Sequence, residues 1–583
     1  MRLLVCALIT AAAALAASPV VPYAIHDAFT PAPLEGQKIE GLLGERMRVN
    51  LEGRLLHVDE KALLEGFQHP PGKQEWIGEH VGKYLEAGCR VWRITHDERL
   101  KTQMDRMVRA LIAAQHPDGY LGTYVDAKRW TSWDVWVHKY NLLGLLAYYE
   151  TFDYPPALDA SRKIGDLLHR TFGDGEGKRD IIASSTHQGM AATSVLEPVM
   201  YLYRDTGDQR YLDFARYILR AWEQPNGPKI ISSLRSTGSV FKTANAKAYE
   251  MMSDLVGLTE YARVTNDLAA LEAAKTAWND IRTHRLYITG TTSSHEHFLD
   301  DAVLPGEQDA DVGEGCATVT WLQLTWQLLR ITGEPKYAEE VERTVYNQLL
   351  GAQDPANGNI CYFTPLDGRK KATPGINCCV SSEPRGISMI PQFAWGELGK
   401  GIAILLYTPG RMTTSLATIH STTAYPLDGV VDLRIMPIKP GAKFPLAMRV
   451  PAWTRSFTAT IGTEKITGKP GQYLILDRKW KAGDTVHLEI EMTTRVLSGA
   501  PTYKQSVAIA RGPQVLALEE SLNPKVPHME NASPIAGAEL KRVTIPVEWS
   551  GRQVYTIAGA DSQTLLLVPF ADAKSYRVWL AKP

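Results

Sequence analysis

Residues 199–219 read VMYLYRDTGDQRYLDFARYIL, and this stretch decides the fold of the first two-thirds of the chain. Apolar residues on both sides of Thr206-Gly207-Asp208 recur at helical spacing, which gives each flanking segment one buried stripe. Gly207 can end the first helix in the left-handed conformation, and Asp208 can cap the second. The stretch therefore predicts a helical hairpin.

The same turn pattern, threonine followed two residues later by an acid, recurs along the helical region. The other copies are Thr95-His96-Asp97, Thr151-Phe152-Asp153, Thr265-Asn266-Asp267 and Thr332-Gly333-Glu334. Single hairpins of about 55 residues cannot bury their apolar faces alone, so they must stack as a solenoid or close into a ring. The closed form is an α/α toroid, whose inner helices surround a central cavity.

The sequence changes character near residue 400, where short β-type runs replace the helical pattern. The runs are 401–407, 431–435, 474–476, 486–490, 507–510 and 564–568. Proline, glycine and aspartate separate them, which is typical of β-sandwich domains. We therefore expect a multidomain α+β protein with a helical domain over residues 18–400. A β-sandwich region of one or two subdomains should follow over residues 401–583.

The N-terminus has the composition of a secretory signal. Arg2 supplies a positive region, and residues 3–17 form an apolar run that ends in small residues. A run of about 15 residues is too short for a confident membrane span. We expect residues 1–17 to be a signal peptide and the protein to be exported, to the periplasm or the extracellular medium. No membrane span is expected.

The charge balance argues against nucleic acid as a partner. Lysine plus arginine number 63 and aspartate plus glutamate 64, so the chain has no excess of positive charge to attract phosphates. The 14 tryptophans and 24 tyrosines suit stacking on sugars, although a large core also uses them. An oligosaccharide or glycan is the expected partner, and oligomer formation is left open.

The cysteines indicate a metal site. Removal of the signal peptide leaves five, an odd number that excludes a fully paired disulfide framework. Cys378 and Cys379 are adjacent, and a Cα separation of about 3.8 Å is too short for an ordinary disulfide between them. With Glu314 and Cys316 they supply three thiols and a carboxylate, a set that suits tetrahedral zinc. The alternative interpretation is buried free cysteines and a surface glutamate.

Two other segments carry candidate functional residues. The polar loop 290–298 contains Glu296, a candidate general acid/base, between His295 and His297, which are an alternative pair of metal ligands. A solvated loop is the simpler interpretation. The aromatic run Trp130–His138 either lines a sugar subsite or packs between helices. His187 precedes a helix, where a lone histidine is more often structural.

Several motifs together resemble glycoside hydrolase family 127, the β-L-arabinofuranosidase family, from about Trp76 to Arg385. They are Trp76-Ile77-Gly78-Glu79, Tyr84-Leu85-Glu86-Ala87, Gln115-His116-Pro117-Asp118-Gly119-Tyr120-Leu121, Val341-Glu342-Arg343-Thr344-Val345-Tyr346-Asn347 and Tyr362-Phe363-Thr364-Pro365-Leu366. The most specific element is Glu314-x-Cys316 followed by Cys378-Cys379. Weaker β-region matches are Arg449-Val450-Pro451-Ala452-Trp453 and residues 511–519.

The resemblance implies an (α/α)6-barrel catalytic domain with β-sandwich domains, and a retaining glycoside hydrolase. It also implies one Zn²⁺, with ligands Glu314, Cys316, Cys378 and Cys379. In this scheme Cys378 is the nucleophile and Glu296 the acid/base. The residues that fall where the family contacts the sugar are His138, His187, Glu342 and Tyr362.

One departure from the family pattern concerns the sugar pocket. This chain has Ala246-Lys247-Ala248 where the family tends to have Gly-His-Ala, so a lysine replaces a sugar-contacting histidine. A fixed positive charge favours an acidic or differently hydroxylated sugar over plain arabinofuranose. The alternatives are that Lys247 points to solvent or pairs with Glu250 or another acid.

Two other function classes fit the same sequence. One is a different α/α-toroid carbohydrate enzyme, a two-carboxylate hydrolase or a lyase, in which Cys378 would be dispensable. The other is a noncatalytic glycan-binding protein with a structural zinc.

Overall fold

The computed structural model describes residues 19–499, 501–526 and 528–583. The predicted signal peptide, residues 1–17, lies outside these residues. The α-helices are α1 Gly41–Val49, α2 Glu60–Gln68, α3 Glu79–Thr95, α4 Glu98–Ala113, α5 Asp134–Phe152, α6 Pro155–Thr171, α7 Met190–Thr193, α8 Leu196–Thr206, α9 Gln209–Trp222, α10 Ile230–Thr237, α11 Ala248–Thr265, α12 Leu268–Asp280, α13 Gly315–Thr332, α14 Pro335–Thr344, α15 Leu350–Ala352, α16 Cys378–Ser388 and α17 Ile390–Ala394.

The predicted hairpin turns are present. Thr206 ends α8, Gly207 has a φ of 69°, and the Asp208 side chain accepts a hydrogen bond from the amide of Arg210 at the start of α9. Thr95, Thr265 and Thr332 likewise end α3, α11 and α13. The turn after α5 differs, because Asp153 is itself the left-handed residue that ends the helix and Tyr154 takes the N-cap position.

Six of the described helices contact one another in a closed order. Helix α3 packs on α5, α5 on α8, α8 on α11, α11 on α13, α13 on α16, and α16 back on α3. Their hairpin partners α4, α6, α9, α12 and α14 each pack on the inner helix that precedes them in the chain, and α6 and α12 also contact the next inner helix. The buried side chains of α11 and α13 extend around the whole helix, as expected for inner helices. This closed order of contacts is the one that an α/α toroid requires.

The strands come mainly from the C-terminal third of the chain. They are β1 Phe29–Pro31, β2 Lys38–Ile39, β3 Asp367–Arg369, β4 Trp395–Leu398, β5 Gly401–Ile404, β6 Gly410–Thr413, β7 Ala417–Thr423, β8 Val430–Pro437, β9 Lys443–Arg449, β10 Phe457–Ile461, β11 Glu464–Thr467, β12 Tyr473–Lys479, β13 Asp484–Ile490, β14 Thr494–Gly499, β15 Tyr503–Arg511, β16 Gln514–Glu519, β17 Lys541–Arg542, β18 Tyr555–Ala558, β19 Thr564–Pro569, β20 Ser575–Arg577 and β21 Leu580–Ala581. The predicted mixture of a helical region followed by a β-rich region is therefore confirmed.

The described strands form three sheets. The first has the order β1-β4-β5-β9-β12 and the second β11-β10-β13-β8-β7-β6-β2, and side chains from both join one core with the helices. The third sheet is built around β14-β15-β16-β19-β18-β17 and has two separate apolar clusters. Strands β1 and β2 come from the N-terminal segment, and β3 from the helical region. These long-range pairings join the two regions, and the boundaries at residues 17 and 400 stay predictions.

Within the described residues, no helix combines the length and apolar character that a membrane crossing requires.

Candidate active site

Three cysteine sulfurs meet where two inner helices begin. Cys316 lies in the first turn of α13, and Cys378 and Cys379 are the first residues of α16. The Asn377 side chain caps α16 by accepting a hydrogen bond from the amide of Val380 at 3.0 Å. Helix N-termini carry a partial positive charge that stabilises thiolates. The local sequence thus collects the thiols at a place that favours their ionised form.

The sulfur geometry fits a tetrahedral metal. Among the described residues, the Sγ atoms of Cys316, Cys378 and Cys379 all lie within 4.8 Å of one another. The Cys379 sulfur is 3.6 Å from that of Cys316 and 3.9 Å from that of Cys378. Metal–sulfur bonds of about 2.3 Å at tetrahedral angles place sulfurs about 3.8 Å apart. The spacing is therefore the one that zinc would require.

Glu314 supplies the remaining candidate ligand. It occupies the N-cap position of α13 but makes no capping hydrogen bond, and its carboxylate is buried with Oε2 unpartnered. Burial, then the nearby Cys316 and Glu296, raise the pKa of Glu314 well above its usual range. A cation would neutralise this carboxylate and satisfy its free oxygen. The three sulfurs thus fit zinc by geometry, whereas Glu314, which is not part of the group within 4.8 Å, fits by charge and chemistry.

Gly315, between two of these ligands, allows the helices to approach closely. A Cβ at this position would lie 2.8 Å from a carboxylate oxygen of Glu383 and 3.2 Å from Cβ of Cys379. Glu383 is fully buried, and within the described part of the chain neither of its oxygens has a hydrogen-bond partner. The pKa of Glu383 is raised well above its usual range, mainly by burial and then by Cys316. The raised pKa favours the neutral form of Glu383 next to the cysteines.

A buried lysine lies against the sulfurs. Lys83 Nζ on α3 is 4.0 Å from Sγ of Cys316, donates to the carbonyl of Cys378 at 3.4 Å and pairs with Glu79 at 2.8 Å. Glu79 also accepts a hydrogen bond from the indole of Trp136. Sequence reasoning missed Lys83 and Glu79. Their spacing of four residues on an apolar inner helix is the signal that could have identified them.

Glu296 is connected to Cys378 through one tyrosine. The Tyr362 hydroxyl donates to Oε1 of Glu296 at 2.7 Å and accepts from the Cys378 thiol at 3.1 Å. The structure therefore brings together the predicted acid/base, the predicted nucleophile and one predicted sugar contact. Burial, then Cys379 and Cys378, raise the pKa of Tyr362, so this hydroxyl keeps its proton.

Lys247 joins the same group from the N-terminus of α11. Its buried Nζ forms an ion pair with Oε2 of Glu296. Burial lowers the pKa of Lys247, but Glu250 and Glu296 outweigh this effect and raise it overall. Burial raises the pKa of Glu296, but Lys247 and Tyr362 outweigh it and lower the pKa overall. The ammonium is thus already paired with an acid, which was the alternative to the acidic-sugar expectation.

His187 and Trp133 lie next to this group. The His187 ring packs against Trp133 at a centroid distance of 5.5 Å, and Nδ1 lies 3.2 Å from the Asn245 amide nitrogen. Burial, then Lys247 and His297, lower the pKa of His187 to about 4, which keeps the ring neutral near pH 7. Both side chains are only partly buried. Their position suits contact with a sugar, and the predicted role of His187 stays a prediction.

His138, also predicted to contact the sugar, has both ring nitrogens occupied. Its fully buried ring accepts from the amide of Leu121 through Nε2 at 3.2 Å. Nδ1 donates to the carbonyl of Asp134 at 2.8 Å. The ring packs against Tyr120 and Trp130. The structure therefore gives His138 a packing role, with no free nitrogen for a sugar.

Glu342 lies in a separate buried network between α14 and the β region. Its carboxylate accepts from Tyr425 at 2.7 Å, from Trp453 at 2.9 Å and from Arg449. These three partners already use both carboxylate oxygens. The structure therefore places Glu342 in the interface between the helical region and the β strands rather than among the cysteines.

The alternative histidine pair does not join the metal group. His295 is exposed and lies 3.4 Å from Asp311, and His297 makes a 2.7 Å contact from Nδ1 to the carbonyl of His295.

A separate cavity of about 430 Å³ lies between α2, α3 and α16, and none of the described cysteines lines it. The chemically functional groups therefore converge at the cysteines, and we place the candidate active site there.

The family assignment rests on two sequence models. The model described as the β-L-arabinofuranosidase GH127 catalytic domain matches residues 46–392, and the GH127 middle-domain model matches residues 401–492. This chain belongs to glycoside hydrolase family 127. It is therefore a glycoside hydrolase, and its partners include a glycan.

Relatives of this family 127 member agree in sequence and fold. A non-reducing end β-L-arabinofuranosidase from Bifidobacterium longum is 25% identical over 510 residues, which cover 76% of this chain and 75% of the relative. A solved GH127 β-arabinofuranosidase superposes with a TM-score of 0.83 at 22% identity, covering 96% of this chain and 98% of that chain. A GH127 β-L-arabinofuranosidase from Geobacillus stearothermophilus T6 gives 0.79 at 22% identity, covering 94% and 100%. The two solved structures show a shared fold.

Proposed function

We propose that this family 127 member is an exported, retaining hydrolase that releases a β-L-arabinofuranosyl-type sugar from plant-type glycans. Cys378 is the nucleophile, Glu296 is the acid/base, and Glu314, Cys316, Cys378 and Cys379 hold one zinc ion. The observation that carries the proposal is the hydrogen-bonded connection from Glu296 through Tyr362 to Cys378. The name of the curated relative supports the choice of sugar.

The separation of the reacting atoms supports retention. The two contacts of Tyr362 limit the distance from Cys378 Sγ to Glu296 Oε1 to about 5.8 Å, close to the roughly 5–5.5 Å of retaining carboxylate pairs and below the roughly 6.5–9.5 Å of inverting pairs. A water molecule does not need to fit behind the sugar in a retaining reaction. The shorter separation thus favours direct attack by the protein.

In the first step, Cys378 Sγ attacks the anomeric carbon while the bond to the leaving oxygen breaks. Glu296 gives its proton to that oxygen, and a carbon–sulfur bond links sugar and protein. In the second step, Glu296 takes a proton from water, whose oxygen attacks the same carbon. The carbon–sulfur bond breaks and the sulfur leaves as a thiolate. Two displacements at one carbon restore the original configuration.

The chain itself favours a thiolate at Cys378. Hydrogen bonds from the thiols of Cys316 and Cys379 lower the pKa of Cys378 to about 5. Burial acts in the opposite direction and raises this pKa, but its effect is smaller. Zinc, when bound, would supply a divalent charge that keeps the thiols deprotonated. Lys83, 4.0 Å from Sγ of Cys316, adds a further positive charge beside the sulfurs.

The sugar and the stereochemistry are tested together. Nitrophenyl glycosides and plant oligosaccharides should be screened, and the anomeric form of the first product should be followed by proton NMR. We expect release of L-arabinose with retained configuration. Azide should restore activity to Glu296→Ala, because the small anion replaces water in the second step, and should not restore it to Cys378→Ala. A first product of inverted configuration would refute the proposed mechanism.

Export is tested separately. We expect the N-terminal sequence of protein recovered outside the cytoplasm of the source cells to begin just after Ala16 or Ala17. Protein found only inside the cytoplasm with residue 1 intact would refute this part of the proposal.

A further inference from the structure

The two oxygens of Glu296 are held by different partners. Lys247 Nζ pairs with Oε2, and the Tyr362 hydroxyl donates to Oε1 at 2.7 Å. Tyr362 is also the residue that contacts the Cys378 sulfur. Fixing Oε2 therefore directs Oε1 toward the nucleophile, where the leaving oxygen of the sugar would lie.

We propose that Lys247 is a positioning residue, whose ammonium fixes one oxygen of Glu296 so that the other serves as acid and then as base. This inference rests on the proposed roles of Glu296 and Cys378. The inference differs from the expectation that Lys247 contacts the sugar directly.

The backbone holds the same two segments together. The amide of Ala248 donates to the carbonyl of Glu296 at 3.0 Å, and the amide of Phe298 donates to the carbonyl of Ala246 at 2.9 Å. Lys247 and His297 are thus bridged in antiparallel fashion. These backbone hydrogen bonds hold the loop that carries Glu296 against the N-terminus of α11. The ion pair between Lys247 and Glu296 at the same point therefore orients a side chain whose backbone is already positioned.

The loop conformation needs such support. His295 and Glu296 both have left-handed backbones, with φ of 47° and 63°. A residue other than glycine is strained in this region, and the conformation persists when surrounding contacts determine it. The ion pair with Lys247 is one of these contacts, and it acts on the side chain that performs the chemistry.

The charges around Lys247 show why its ammonium is not available to an acidic sugar. Glu250, one turn along α11, is buried with Oε2 unpartnered, and Glu314 is buried nearby. Both interact electrostatically with Lys247, as does Glu296. Among the described residues, the titratable groups that interact with Glu296 are Lys247, Glu250, His187, His297, Glu314 and Tyr362. The ammonium is thus surrounded by carboxylates of the protein.

The test compares two substrates with the same sugar and different leaving groups. A nitrophenolate leaves without much help from an acid, whereas a sugar alkoxide needs the proton of Glu296. In Lys247→Met the charge is lost while a similar volume is kept. We expect kcat/KM to fall by at least about 10-fold on the oligosaccharide and by less than about 3-fold on the nitrophenyl glycoside, with KM of the oligosaccharide unchanged.

Three further variants complete the design. Lys247→Arg keeps a cation at Oε2 and should restore most of the oligosaccharide activity. Lys242→Met, at an exposed position five residues earlier, controls for loss of a lysine in the same segment and should behave like the wild type. Lys247→Gln serves if the methionine variant does not fold. Melting temperature and zinc content of each variant separate a folding defect from a catalytic one.

Two results would overturn the inference. Equal losses on both substrates with a higher KM would show that Lys247 binds the sugar, and wild-type kinetics of Lys247→Met on both substrates would show that it has no role. Either result leaves the proposed function intact if Cys378→Ala is inactive. An active Cys378→Ala enzyme would instead refute the proposed function itself, so the two failures are distinguishable.

Discussion

The Tyr362 hydroxyl lies 3.1 Å from Sγ of Cys378 and bonds on its other side to the carboxylate of Glu296. Three groups from separate segments thus form one continuous contact: the first residue of α16, a loop residue after α15, and the loop before α13. The hydroxyl donates its one proton to Glu296, which orients the carboxylate, and its oxygen accepts from the Cys378 thiol. The bridge also holds Cys378 and Glu296 at a separation that fits the proposed retaining mechanism.

Removal of this hydroxyl should slow the reaction without removing the metal. We expect Tyr362→Phe to lower kcat by about 10- to 100-fold, since Glu296 loses one hydrogen bond and the Cys378 sulfur loses its only described hydrogen-bond partner outside the cysteines. Steady-state kinetics and metal analysis of the variant check this expectation. Tyr203→Phe, near the turn at Gly207, is the control for loss of a tyrosine hydroxyl. Loss of zinc from Tyr362→Phe would show that the residue acts on the metal site instead.

Zinc should be stoichiometric and depend on the cluster. We expect about one zinc per chain in purified protein, since three thiolates and a carboxylate satisfy its tetrahedral preference. Cys316→Ala should lose the metal, and Cys361→Ala should keep it, because Cys361 is a buried free cysteine outside the cluster. Elemental analysis of both variants makes the comparison. Calcium, or no metal, in an active wild-type preparation would contradict the assignment.

The pH dependence should reflect the depressed pKa of Glu296. Because Lys247 and Tyr362 outweigh burial and lower this pKa, the proton needed for the first step is lost as pH rises through a lower value than for an ordinary glutamate. We expect kcat/KM on oligosaccharides to decline from acidic toward neutral pH, and to depend less on pH for nitrophenyl glycosides. Lys247→Met should shift the declining limb to higher pH. An unshifted limb in that variant would mean that another group controls it.

Local signals made much of the fold predictable. Gly207 and Asp208 act within a few residues of their own position, so turn chemistry in the sequence was sufficient to place α8 and α9. The adjacent pair Cys378-Cys379 could be assigned to a metal site because its spacing excludes an ordinary disulfide. The pairing of Lys247 with Glu250 or another acid was foreseen as an alternative, and the structure gives Glu296, 49 residues away, as the partner.

Long-range packing decided the positions that sequence reasoning missed. Glu342 accepts hydrogen bonds from Arg449 and Trp453, more than 100 residues away, and nothing near Glu342 in the sequence indicates those partners. One nitrogen of His138 contacts the carbonyl of Asp134, one turn back on the same helix, and the other accepts from the amide of Leu121, which the fold of the preceding loop brings within reach. Lys83 reaches the sulfurs only because α3 packs on α16.

The most direct test is to locate the covalent intermediate. In Glu296→Gln, a nitrophenyl β-L-arabinofuranoside should still react in the first step, since its leaving group needs little acid, while the second step lacks its base. The sugar should therefore accumulate on the protein. Mass spectrometry of the rapidly quenched enzyme should show one added pentosyl group, and peptide mapping should place it on Cys378. A pentosyl group on a carboxylate such as Glu250, or release of sugar by Cys378→Ala at the wild-type rate, would contradict the account.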